Sequence, residues 1–173
     1  MKRLNKKGFT LIELLAVIII LGILLLVAVP SISKYIKNSK IGTYSNNLLT
    51  FTDHVRTEVV SGIDPNFNMD SVDVLFVDFA CIELDKGNNK KSPFGTFSTG
   101  YVKVEKVGTK FNYYVTALDS AKIGINLATI ATDTNVITLQ ENLTSVTAPA
   151  KETGKQTKYY KNSGTTCTLT TLS

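Results

Sequence analysis

One histidine, no tryptophan and two cysteines in 173 residues leave little material for the commonest metal and redox chemistry. His54 has no second imidazole to join it. Cys81 and Cys167 are 86 residues apart without CxxC spacing, so neither a recognisable zinc site nor a dithiol redox motif is written here. GxSxG, Walker and GxGxxG patterns are also missing. Asp70, Asp73, Asp78 and Asp85 are scattered without EF-hand spacing. The chain is therefore expected to be no enzyme and to need no metal or cofactor. Charge is scarce as well. The formal charge is +5, and Lys2, Arg3, Lys6 and Lys7 supply four of those charges within the first eight residues, leaving +1 for the remainder. A nucleic-acid reader gathers its basic residues on one face of a folded module, and nothing of that kind is predicted for this chain. A basic start before an apolar run fits positive-inside orientation instead.

What the sequence does have is one long apolar run. Leu11–Val29 reads LIELLAVIIILGILLLVAV, 19 residues with Glu13 as the single charge. As a helix it spans about 28 Å, enough to cross a bilayer. Such a run could be a secretory signal, but it exceeds the usual apolar core and ends in AVPSIS, a poor cleavage site. It could be a plain anchor for an extracellular adhesin or binding domain, and hydrophobicity alone does not exclude that. Glu13 argues against the plain anchor. An acidic side chain within an apolar span costs roughly 2.5–3.5 kcal/mol on insertion scales, so it marks a functional position with a partner to be named.

The stretch KKGFTLIELLAVIIILGILLLVAVP resembles the type III signal of type IV prepilins and pseudopilins: a basic leader, Gly8 before the cut, Phe9 after it, and a glutamate fifth in the mature chain. The resemblance covers about the first 30 residues. It implies cleavage between Gly8 and Phe9 by a membrane prepilin peptidase, which then methylates the Phe9 amine. It also implies that Glu13 pairs with the Phe9 amine of a neighbouring subunit. Pro30 matches the family's helix-breaking proline and is expected to kink or locally melt the helix. Gly22 reads as a close-packing position. The partners implied are further copies of the chain, the peptidase, and an assembly ATPase with its platform protein. The subunit would be single-pass in the cytoplasmic membrane before assembly, with its head outside, and would then sit in a cell-surface filament serving adhesion, motility or DNA uptake. A pseudopilin of a type II secretion or competence system shares the same signal. Some pseudopilins bind calcium, which the scattered aspartates leave open.

The domain reading is a leader at 1–8, a transmembrane or filament-core helix at 9–30, an amphipathic helix at 31–62 and a globular head at 63–173. Lys34, Lys37 and Lys40 read as a solvated or headgroup-facing side. Tyr44, Leu48, Phe51, Val55 and Val59 fall on one helical stripe, with Asn46, Asp53 and Arg56 off it, and Asp64-Pro65-Asn66 as the turn beyond. In Tyr101–Leu118 a Gly108-Thr109 loop of type II′ would pair Val107 with Lys110, Val104 with Tyr113 and Val102 with Val115. One face of that hairpin collects apolar residues and the other carries Lys103, Glu105, Asn112 and Thr116. Val72–Leu84 fits a helical face and is read as a short helix, although β-branched content and alternation around Val74–Val77 also allow a strand. Asn135–Gln140 and Cys167–Leu172 read as strands, and Lys86–Phe94 and Pro149–Gly164 as surface loops. The fold class expected is α+β, a long N-terminal helix packed on a small antiparallel sheet. In an exported head an even cysteine count favours a Cys81–Cys167 bridge, two buried free thiols being the alternative. Asn142-Leu143-Thr144 matches a glycosylation triplet of a kind that often arises by chance.

Overall fold

The structure is a computed structural model that describes residues 10–82, 91–129 and 138–173. Gly8, Phe9, Asp85 and the first half of the expected strand Asn135–Gln140 lie outside the described residues. The chain divides into two units, Met1–Ser39 and Lys40–Ser173. A single helix, α1, is assigned from Leu11 to Ser61. Pro30 lies inside it and the helical assignment is unbroken there, so the expected local melting is not found. Proline withholds only the N–H that would reach the Leu26 carbonyl. The adjoining turns stay bonded, and the hydroxyls of Ser31 and Ser33 also donate to the carbonyls of Val27 (3.3 Å) and Val29 (3.0 Å).

In the second unit the helical stripe behaves as its spacing predicts. Tyr44, Leu48, Phe51, Val55 and Val59 are all buried, while Asn46 and Asp53 stay exposed. Ser45 and Thr52 flank the stripe and are buried too; the Thr52 hydroxyl is satisfied by the Leu48 carbonyl at 2.9 Å. The helix stops where Gly62 takes φ 62° and its N–H reaches back to the Glu58 carbonyl at 3.1 Å, a left-handed cap that costs glycine nothing. Asp64 then caps the 3-10 turn Pro65–Phe67 by accepting from the Asn66 N–H.

The stripe packs on a sheet of seven strands: β1 (Val74–Asp78), β2 (Lys91–Ser92), β3 (Gly95–Val107), β4 (Lys110–Asp119), β5 (Gly124–Thr129), β6 (Thr157–Asn162) and β7 (Cys167–Thr171). Their order is β5-β4-β3-β1-β6-β7, with β2 on β3. Every pairing is antiparallel except β1 with β6, so the sheet is mixed, and larger than the small antiparallel one expected. The β3–β4 hairpin has the predicted register, with Val107 opposite Lys110, Val104 opposite Tyr113 and Val102 opposite Val115. Gly108 carries the positive φ, 62°, that a type II′ turn requires at its first central residue.

Three expectations are corrected. In the described part of Val72–Leu84 the strand alternative holds and the favoured helix does not: Val74–Asp78 is strand β1, followed by the 3-10 turn Phe79–Cys81. As an interior strand covered on both faces it buries Val74, Leu75, Phe76 and Val77 alike, which erases the alternation that marks a half-exposed strand. Pro149–Gly164 is not loop throughout, since β6 runs through it and pairs with β1. Finally, Lys86–Phe94 is not loop throughout its described part, since Lys91–Ser92 is strand β2 on β3. The polar face of the β3–β4 hairpin is covered, with Lys103 and Thr116 buried. The segment from Glu141 to Gln156, without regular structure, is bonded across it. Leu143 N–H reaches the Lys122 carbonyl, Thr147 exchanges two hydrogen bonds with Asn126, Tyr101 Oη donates to the Thr147 carbonyl at 2.5 Å, and Gln156 N–H reaches Asp73 at 2.8 Å. Between these ties, the Lys103 and Lys155 ammoniums are interleaved with the Glu105 and Glu152 carboxylates.

On the α1 side, Phe51 stacks on Phe79 with ring centroids 4.1 Å apart, and Phe97 meets Tyr44, Phe51 and Phe79 edge-on. Cys81 and Cys167 are joined, tying the turn after β1 to the start of β7. Asp73 and Asp78 are engaged with the backbone N–H groups of Gln156 and Ala80.

Truncating Phe51 to alanine removes the ring that binds helix to sheet and should lower unfolding free energy by about 3–5 kcal/mol, read from urea titration followed by tyrosine fluorescence. The charged cluster sets an acid limit. A hydrogen bond from Lys155 holds the Glu105 carboxyl below its usual range. At Glu152 burial pushes upward, but the hydrogen bonds from Lys103 and Lys155 outweigh it, and that carboxyl is lowered too. Carboxylates depressed on folding stabilise fully above the unfolded value of about 4.3, and that contribution is lost as pH falls through the folded one. The midpoint of thermal unfolding should therefore fall below about pH 4, and Glu105→Gln should flatten that decline relative to the parent.

Candidate functional site

Leucine, isoleucine and valine fill the first unit of α1 without leaving a polar side. Leu11, Ile12, Leu14, Leu15, Val17, Ile18 and their successors to Val29 are about half exposed or more, from 49% at Leu15 to 86% at Leu11. A helix that is apolar all round is stable only where water is replaced on every side, by lipid or by other helices. This helix is long and apolar enough to cross a membrane by length and composition. The segment thus reads as a surface to be covered.

One carboxylate interrupts that surface, and the structure places it in a specific arrangement. Thr10 stands at the N-cap of α1 and Glu13 at the third helical position. The Thr10 N–H and the Thr10 hydroxyl both donate to Glu13 Oε2 at 2.8 Å, while the Glu13 N–H donates to Thr10 Oγ1 at 3.3 Å. This is a reciprocal capping box, satisfying two of the N–H groups that a helix start leaves without partners. It also seats the negative charge at the positive end of the helix dipole. The carboxylate is thereby tied to the residue next to Phe9. Glu13 was predicted from its charge and from its place fifth after the expected cut; Thr10 was not, although T-x-x-E before an apolar run is the capping-box signature in sequence.

The other predicted positions fall as follows. Pro30 sits within α1, and Gly22 has open space where a Cβ would stand. Lys40 belongs to the second unit, where its ammonium lies 5.6 Å from the centre of the Phe94 ring. His54 is half-buried on α1 near the Asp53–Arg56 ion pair (2.5 Å), an arrangement of ordinary surface packing. Cys81 and Cys167 belong to the second unit and brace its sheet. Among the described residues the first unit therefore brings together Thr10 and Glu13, at the start of a wholly apolar helix.

Compared with known families, residues 3–29 match the prokaryotic N-terminal methylation motif, the type IV prepilin-like signal. That signal and the apolar helix together fit membrane anchoring. No curated protein and no solved structure matches the chain.

The capping box can be tested on its own. Thr10→Ala removes the cap and should destabilise the first turn by about 1 kcal/mol. Amide exchange at Glu13 and Leu14 in detergent should then quicken, with the β3–β4 amides unchanged.

Proposed function

We propose, from the premise of a prepilin-like signal at residues 3–29, that the chain is a structural subunit of a type IV pilus-like filament. In this reading a prepilin peptidase cuts after Gly8 and methylates the Phe9 amine, and the apolar part of α1 passes from the membrane into a filament core formed by copies of itself. An assembly ATPase acting through a platform protein drives the transfer, and the subunit has no catalytic role. The filament serves adhesion, motility or DNA uptake at the cell surface.

The observation that carries the proposal is the conjunction of an all-round apolar helix with one carboxylate capped at its N-terminal end. Lipid and a bundle of like helices are equally apolar, so transfer between them needs no change in the helix surface. A buried ammonium and carboxylate are tolerable together and costly apart. The Glu13 carboxylate, held by the neutral donors of Thr10, keeps its charge and is thus driven to find the Phe9 amine of a neighbour. Apolar helices alone could slide past one another by a turn, whereas one polar pair penalises every other alignment, as a buried asparagine does in coiled coils.

The first test is N-terminal mass spectrometry of protein sheared from the cell surface. The proposal expects a mature chain beginning at N-methylated Phe9. An intact Met1 terminus confined to membranes, in cells with an active prepilin peptidase, would make the segment a permanent anchor. Glu13→Gln should be processed normally and assemble poorly, and abundant filaments of that variant, seen by electron microscopy, would remove the pairing role.

A further inference from the structure

The central strand is shorter than its neighbours. β1 ends at Asp78, opposite Tyr101 of β3, and the chain then leaves the sheet through the turn Phe79–Cys81. β3 extends the other way to Gly95, and β6 runs on to Asn162. Where β1 stops, a cleft of about 310 Å³ opens between them, lined by Asp78, Thr99, Tyr159 and Asn162, with Phe79 and Gly100 among the remaining contacts.

Its walls are held in place before any ligand arrives. Asp78 Oδ1 accepts from the Ala80 N–H at 2.9 Å, and the Tyr159 hydroxyl approaches Asp78 Oδ2 at 3.4 Å. Asn162 Oδ1 accepts from the Gly164 N–H at 2.7 Å, leaving the amide's own N–H groups as donors. A Cβ on Gly100 would collide with the Phe79 ring, so bare backbone is what lets that ring lie against β3. The Cys81–Cys167 bridge fixes the turn that carries Phe79. Such preorganisation reduces the entropy lost on binding.

The chemistry of the lining restricts the ligand. Among the described residues no lysine, arginine or histidine lines the cleft, and Asp78 contributes a negative charge, so phosphates, carboxylates and acidic sugars are disfavoured. An acceptor-only carboxylate, an amide donor and a hydroxyl at Thr99 suit a ligand that presents donors and acceptors on adjacent atoms. Tyr159, half-buried beside them, offers an aromatic ring for a flat face of C–H groups. The volume is at the small end of the range for ligand pockets, roughly 300–1,000 Å³, which limits the occupant to one ring. Vicinal hydroxyls on a ring with an apolar face are the properties of a saccharide. We propose that this cleft binds a single neutral or amino sugar ring.

The proposal does not rest on filament assembly, because the cleft belongs to the unit from Lys40 onward and is tested on unassembled protein. The experiment is saturation-transfer NMR on the full chain in a detergent without sugar headgroups. The probes are glucose, galactose, mannose, N-acetylglucosamine and galactosamine, with sialic acid as the anionic control. Ring-proton transfer from at least one neutral or amino sugar, with millimolar affinity, is expected. Thr99→Trp, at an exposed position, should fill the cleft, and Asn162→Ala should remove the amide; each should weaken binding by about tenfold or more. The two variants are independent, so one that fails to fold leaves the other decisive. Absence of transfer from every sugar, transfer from sialic acid alone, or transfer undiminished in a folded variant would overturn the proposal.

Discussion

An α-helix presents side chains on every side, and α1 answers to two different surroundings with one continuous backbone. Up to Val29 its side chains are apolar around the whole circumference, so no single protein face could cover them. From Tyr44 to Val59 only one stripe is apolar, and the sheet covers it. Both halves follow from the same requirement, that apolar surface be removed from water, met by a narrow stripe in one unit and left for lipid or like helices in the other. The features around α1 follow from it. Glu13 needs its cap because the surroundings offer it little else, and the aromatic cluster of Phe51, Phe79 and Phe97 exists because the stripe must be matched by a complementary surface.

How far the sequence could be read depended on whether the relevant pattern was local. The stripe of α1 and the β3–β4 hairpin were legible because 3.6-residue spacing and a Gly-Thr loop between alternating strands are complete signals within a short window. β1 was read only as the second choice, because burial on both faces gives a continuous apolar run for which helix and strand compete. β6 was hidden in a polar stretch because Lys158, Tyr159 and Tyr160 are amphipathic side chains that half-bury, which in sequence looks like a loop. β5 was missed altogether: it is short, and its pairing with β4 is interrupted by an irregularity. At the candidate site, Glu13 was conspicuous through its charge, while Thr10 was recognisable only as half of a pattern.

The covering of the second sheet face was the least legible feature, for a physical reason. The segment from Glu141 to Gln156 has no period, because it is held by bonds to residues far along the chain: Lys122, Asn126, Tyr101, Lys103 and Asp73. Its lysines and glutamates look like ordinary solvated charges until the sheet brings Lys103 and Glu105 beneath them. Partly buried charges tolerate that position only when each has an opposite neighbour, and the four groups interleave to that effect.

The bridge between Cys81 and Cys167 also determines what the head does under tension. A pull applied between α1 and the C-terminus passes through β1 to the turn after it and then through the sulfur atoms to the start of β7, bypassing the chain between them, a sequence separation of 86 residues. Only the short stretches outside that loop can be drawn out, so contour length is withheld from the stretched molecule. The backbone of the β3–β4 hairpin lies inside the bridged loop and off the covalent path of the load. A mechanically strained chain would thus yield at its margins and keep the register of β3 and β4.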